Sequence, residues 1–311
     1  KHAETFDQQL ADITLMPGDG FVFGLFAADE INGVGAALPK DAMVWVGSTD
    51  MDGRISVEVP LPYGGYYFKE LAAPNAYQVT GERYPVTLTY KNQDRIAAVA
   101  NGGEPVINRL KTGRIRIIKL DDRYREPNFL QRIFGSGESE AEYRLASAVF
   151  QIRSEALGIC VELTTDGHGE ALSPKLPIGE YVIQEVQAPA GFELTEESQS
   201  ATITGSEAEV LEYTFRNAPK KVHILKVSSM DGRALPGCEM EIRSADGSVI
   251  YSATTDSAGE IAFDMPPAGT YVIAEVKAPA GFVRSPKTHS FTVTDAGEIT
   301  GETTVMNDPI R

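Results

Sequence analysis

Three stretches of this chain spell nearly the same phrase. They read Tyr66-Tyr-Phe-Lys-Glu70-Leu-Ala-Ala-Pro74, Tyr181-Val-Ile-Gln-Glu185-Val-Gln-Ala-Pro189 and Tyr271-Val-Ile-Ala-Glu275-Val-Lys-Ala-Pro279. In each, an aromatic residue, an apolar residue and a glutamate fall at i, i+2 and i+4, so on a strand all three point to one face. The rest of that face belongs in a core, where carboxyl groups are normally excluded. A chain written this way must fold as repeated β units, each holding an acid in its interior.

Successive glutamates stand 115 and 90 residues apart in a chain of 311, which favours three small domains over one large one. Each unit is long enough to bury its own core. Frequent aromatic and β-branched residues, common Gly and Pro, and the lack of heptad runs favour an all-β fold. A net charge of −16 argues against nucleic acid as a partner, since phosphates call for a basic patch. No segment has the length of a membrane span, and no signal peptide is present. The chain opens on Lys1 rather than Met and reads as a fragment of something longer.

The repeat reaches beyond the phrase. Each glutamate is preceded by an Asp-x-x-Gly turn, at Asp50 to Gly53, Asp166 to Gly169 and Asp256 to Gly259, whose glycine lies 16 or 17 residues upstream of the acid. A Pro/Gly turn follows (Pro62, Pro177, Pro266), so the expected order is turn, strand, turn and glutamate strand. Asp50-Met-Asp52-Gly53 lacks the ligand series of a calcium loop and reads as a plain turn. Each repeat closes on a short strand ending in asparagine, and period two aligns Val106 with Asn108, Phe215 with Asn217 and Val305 with Asn307. The second and third repeats open on strands whose inward sets are Ile115, Ile117, Lys119 and Val222, Ile224, Lys226. Boundaries follow at residues 1–111, 112–219 and 220–311. Short linkers around 110–113 and 218–221 imply units set end to end as an elongated rod. The second repeat carries an insertion around residues 124–143, bounded by Tyr124 and Tyr143 and rich in Arg and Glu.

A complete repeat thus aims a lysine, a glutamate and an asparagine at one apolar interior. One reading is an ordinary buried polar network. The other is a reaction: burial lowers a lysine pKa and raises a glutamate pKa. The neutral amine is then a nucleophile, and the protonated acid can polarise the carboxamide and shuttle protons as ammonia leaves. The product would be a Lys–Asn isopeptide bond between first and last strands.

The Tyr-x-x-x-Glu-x-x-Ala-Pro phrase, the following Gly191-Phe192 and Gly281-Phe282, the leading lysine and the closing asparagine resemble the Cna B-type or SpaA-like repeat of Gram-positive surface adhesins and pilins. That resemblance implies prealbumin-like (Ig-like) β-sandwiches, here three in tandem, on the bacterial cell surface. It implies isopeptide pairs Lys119–Asn217 and Lys226–Asn307, with Glu185 and Glu275 as proton shuttles and no cofactor. It further implies sortase and the cell wall as partners through regions outside this sequence.

The first repeat departs from the pattern. It has Glu70 and Asn108, but no Gly follows Pro74, and counting back from Phe23 by the spacing of the third repeat reaches Gln9. Lys1 is the upstream lysine, reachable through a longer first connection. The alternative is an unlinked domain, or one whose lysine was removed with the N-terminus.

Function therefore reads as a structural stalk stiffened by self-made links. The competing reading is a ligand-binding adhesin region for a host glycoprotein or glycan of the extracellular matrix, with the insertion as its site. Whether the chain is a pilin backbone stays open. A turnover enzyme is not expected: His2, His168, His223 and His289 are scattered without metal-like spacing, and no nucleophile elbow or phosphate loop appears. Cys160 and Cys238 lie in different repeats and read as small buried hydrophobes. Trp45, with Val44 and Val46, reads as core or half-buried strand.

Overall fold

The computed structural model describes residues 1–32, 37–89, 98–126, 139–206 and 208–310. Its regular structure is almost wholly strand, sorted among the described residues into three successive pairs of sheets and one two-stranded ribbon, Ile31–Asn32 with Ala37–Leu38. In the second unit the lysine strand Thr112–Asp121 runs parallel to the asparagine strand Val210–Asn217 and antiparallel to Glu170–Leu172 and Leu176–Pro177. The opposing sheet orders its strands as Ile159–Thr164, Val149–Ser154, Gly179–Gln187 and Ser198–Ile203. Between them Ile115, Ile117, Phe150, Ile152, Tyr181, Ile183 and Phe215 form one apolar cluster, each at most 1 % exposed. The alternation in the sequence is therefore the alternation of a two-sheet sandwich.

The third unit repeats this plan. Lys221–Ser228 lies between Glu260–Asp264 and the parallel strand Thr304–Asn307, facing a sheet that carries Glu239–Arg243 and Gly269–Lys277. In the first unit His2–Asp7 runs parallel to Ile107–Asn108, and its antiparallel neighbour is Asp12–Pro17. The facing sheet orders Met43–Ser48, Val22–Ala27, Gly64–Ala72 and Arg83–Leu88.

Three features expected of every repeat have clear physical roles. The tyrosine hydroxyls of Tyr66, Tyr181 and Tyr271 donate to the carbonyls of Pro62, Pro177 and Pro267 at 2.7–2.8 Å, satisfying a buried O–H. Asp50, Asp166 and Asp256 each accept two backbone N–H groups of their own turn, which is turn chemistry. The turn glycines Gly53, Gly169 and Gly259 have φ near +70°. A Cβ on any of them would press on the backbone oxygen of Lys1, Lys119 or Lys226, at 2.1–3.0 Å. Glycine is needed there because the turn packs against the lysine strand.

Three expectations need correction. The strand expected after Gly53 does not form. Its counterparts Glu170–Leu172 and Glu260–Asp264 pair with the lysine strands of their units, whereas the segment after Gly53 pairs with no strand. Cys160 is exposed, because alternation along Ile159–Thr164 turns Ile159 and Val161 inward; Cys238 is fully buried, and both are free. Val46 is exposed, while Trp45 is half-buried and stands edge-on to Phe68 at 6.3 Å.

Much of the insertion, residues 127–138, lies outside the described residues. Its flanks are packed: Tyr124 is buried with Ile118 and Leu120, and Tyr143 meets it at 5.6 Å between ring centroids.

Candidate functional site, a buried lysine–glutamate–asparagine cluster

Strand register explains how the three groups meet. Asp121 sits opposite Asn217 and Ser228 opposite Asn307, so Lys119 and Lys226 lie two residues back on the same face, diagonal to the asparagine. From the other sheet comes the glutamate. Phe23, Phe150 and Met240 pair with Glu70, Glu185 and Glu275, and in each case the register shifts at the residue before. A bulge of this kind bends a strand locally and re-aims its side chains.

In the second unit Lys119 and Glu185 have fully buried side chains, with Nζ 3.0 Å from Glu185 Oε1. Lys119 Nζ donates to Asn217 Oδ1. Asn217 Nδ2 donates to Glu185 Oε1 at 3.0 Å. Phe150 and Phe215 flank the amine, with ring centroids 5.4 and 6.0 Å away. In the third unit Lys226 Nζ lies 3.2 Å from Glu275 Oε2 and donates to Asn307 Oδ1, while Asn307 Nδ2 donates to Glu275 Oε1 at 2.7 Å.

The first unit assembles the same cluster around Lys1. Its Nζ donates to Asn108 Oδ1 and stands 3.6 Å from Glu70 Oε1, with its side chain 2 % exposed. Asn108 Nδ2 donates to Glu70 Oε2 at 3.0 Å and to the Gln78 carbonyl at 2.6 Å. The backbone settles the equivalence. Lys119 N and Lys226 N donate to Gly169 O and Gly259 O, and Lys1 N donates to Gly53 O. The carbonyls of the three lysines accept from Leu145, Leu235 and Gly18, each five residues before Phe150, Met240 and Phe23. Spacing alone points to Gln9; the fold puts Lys1 in the lysine position.

One further contact escaped the sequence reading. Ten residues after each glutamate, the backbone N–H of Thr80, Thr195 or Ser285 donates to the Oε2 of Glu70, Glu185 or Glu275, at 2.6, 3.3 and 3.3 Å. The signal available was a hydroxyl residue at the same offset in all three repeats.

Burial pushes the pKa of Lys119 below its ordinary 10.5, against the opposing pull of Glu185, and burial does the same to Lys1 against Glu70. The sign of the consequence follows from linkage. Between the lowered value and 10.5 an unlinked folded chain binds fewer protons at Lys119 than the unfolded chain, so its stability rises with pH across that window and is lost below it. An Asn217→Ala variant, which keeps the lysine unlinked, is expected to show this rise in Tm with pH; adding Lys119→Met should flatten it.

The arrangement has a chemical direction. The amine faces the carbonyl side of the carboxamide, and the amide nitrogen that would leave faces the carboxyl group. No His/Cys/Asp/Glu group able to hold a metal occurs among the described residues. Nor does any described helix have the length and apolarity to cross a membrane.

The sequence profile of the SpaA prealbumin-like fold domain matches three stretches, residues 19–102, 137–219 and 220–309. The chain belongs to this family. The matched stretches contain Glu70, Glu185, Asn217, Lys226, Glu275 and Asn307, while Lys1, Asn108 and Lys119 fall outside them. No curated protein matches the chain. Among solved structures, the Bacillus anthracis TIE protein is similar at 24% identity and a TM-score of 0.53, over 94% of this chain and 48% of its own. The chain thus spans about half the length of that relative. A Streptococcal ancillary pilin aligns at 20% identity over 80% of this chain and 76% of its own, TM-score 0.28. The shaft pilin SpaA of Lactobacillus rhamnosus GG aligns at 12% over 64% and 98%, TM-score 0.27.

Proposed function

We propose that this chain is a structural stalk segment of a Gram-positive cell-surface pilin or adhesin, made of units 1–111, 112–219 and 220–311 set in tandem. Each unit closes one Lys–Asn isopeptide bond by itself: Lys1–Asn108, Lys119–Asn217 and Lys226–Asn307. The observation that carries this reading is the threefold recurrence of one buried cluster, with amine against carbonyl and amide nitrogen against acid. In each, the amine attacks the carboxamide carbon and gives up a proton to the glutamate, which holds the amide nitrogen and passes a proton to it as it departs. One C–N bond forms, one breaks, and ammonia leaves. The lysine and asparagine are consumed, so the glutamate acts once and the chain is no turnover enzyme.

Family membership supports the surface setting, and sortase and the cell wall are the partners that setting implies. Intact mass is the test. A deficit of three ammonias against the composition is expected. A mass equal to the unmodified composition would sink the proposal.

A further inference from the structure

The first unit does not end at its own sandwich. Beyond Lys1 the chain forms a hairpin, His2–Asp7 and Asp12–Pro17, which precedes the first stretch matched by the family profile. Asp7 Oδ1 shapes its turn by accepting the N–H groups of Gln9 and Leu10 at 2.8 and 3.0 Å. Near this tip, Phe6 packs against the apolar core of the second unit. Gln8 does something more specific. Its carboxamide Nε2 donates to the Cys160 carbonyl, and its Oε1 accepts the Cys160 N–H at 3.0 Å.

Cys160 belongs to Ile159–Thr164, the edge strand of its sheet, whose other side is paired with Val149–Ser154. An edge strand offers unpaired N–H and C=O groups to any neighbour. A primary carboxamide carries one donor and one acceptor side by side, so it can complement both groups of one strand residue. Gln8 therefore takes the place of a single residue of an added strand.

The base of the hairpin is equally fixed, through Lys1 N to Gly53 O at 2.6 Å, Gly18 N to Lys1 O at 3.1 Å, and Ala3 opposite Asn108. The linker is held on both sides as well: Lys111 N donates to Ala76 O at 2.7 Å, and Ile178 N donates to Lys111 O at 3.1 Å. One attachment would leave a hinge, whereas two separated attachments oppose bending about either. The second junction uses the same place in the repeat. Just after Lys119, Arg123 donates to both oxygens of Asp121, and its Nη1 lies 3.6 Å from Asp264 of the third unit.

We infer that the stretch following the cluster lysine is an interdomain clasp, and that the hairpin of the first unit locks onto the open sheet edge of the second through Gln8 and Phe6. This holds whether or not the lysines form covalent links.

Hydrogen exchange and residual dipolar couplings on the full chain test it. In the wild type the Cys160 amide should be protected and units one and two should share one alignment tensor. Gln8→Ala should speed exchange at Cys160 tenfold or more. Phe6→Ala with Gln8→Ala should give two separate tensors. Gln8 is exposed, so the single variant keeps the fold, and unchanged protection at Val161 verifies that. Equal exchange at Cys160 in wild type and Gln8→Ala, or one shared tensor in the double variant, overturns the clasp.

Discussion

Glu185→Ala is expected to restore one ammonia to the mass and to lower the melting temperature of the second unit by about 20–40 °C. The first effect follows from removing the group proposed to protonate the leaving nitrogen. The second follows from chain entropy. A tie between Lys119 and Asn217, 98 residues apart, closes a loop whose restriction of the unfolded chain is worth about 4.7 kcal/mol. In a domain of this size each kcal/mol shifts Tm by roughly 4–8 °C. The variant also leaves the Lys119 amine buried without its acid, which adds to the loss. Asn217→Ala separates the two contributions, since it removes the tie but keeps the lysine–glutamate pair, and so should fall less far. A Glu185→Ala protein that melts with the wild type would show that no covalent tie had been present.

Mechanical unfolding should give the largest change of all. The lysine and asparagine strands are parallel neighbours in register from Arg114↔Val210 to Asp121↔Asn217, so tension applied at the two ends shears the hydrogen bonds between them. The proposed covalent bond at that seam would carry the load and keep residues 119–217 from extending. Under force the wild-type unit should release none of that stretch. Glu185→Ala should release all of it, about 320–350 Å of additional contour at ~3.3–3.6 Å per residue. The corresponding loop of the third unit spans 81 residues, so Glu275→Ala should add about 270–290 Å. Equal extension in wild type and variants would place the load on hydrogen bonds alone.

Period two makes much of the site legible in the sequence. It placed Lys119 with Ile115 and Ile117, Lys226 with Val222 and Ile224, and each glutamate with its tyrosine. All of these face the interior. What it could not carry is pairing across long separations. Lys1 illustrates the limit: the spacing that works in the third repeat lands on Gln9, because a hairpin of variable length separates the lysine from Phe23. The same limit hid the N–H groups of Thr80, Thr195 and Ser285, which reach their glutamates through a turn.

By itself, the sequence determined that there would be three β units, which strand faces would be buried, and that an amine, an acid and a carboxamide would share the interiors of the second and third. Those are consequences of alternation, a local property that any strand obeys. Only the tertiary structure decided that Lys1 joins Glu70 and Asn108, that a bulge aims each glutamate, and that Gln8 reaches Cys160. Each of these depends on register and loop closure between residues far apart in the chain, which the pattern of neighbouring side chains does not encode.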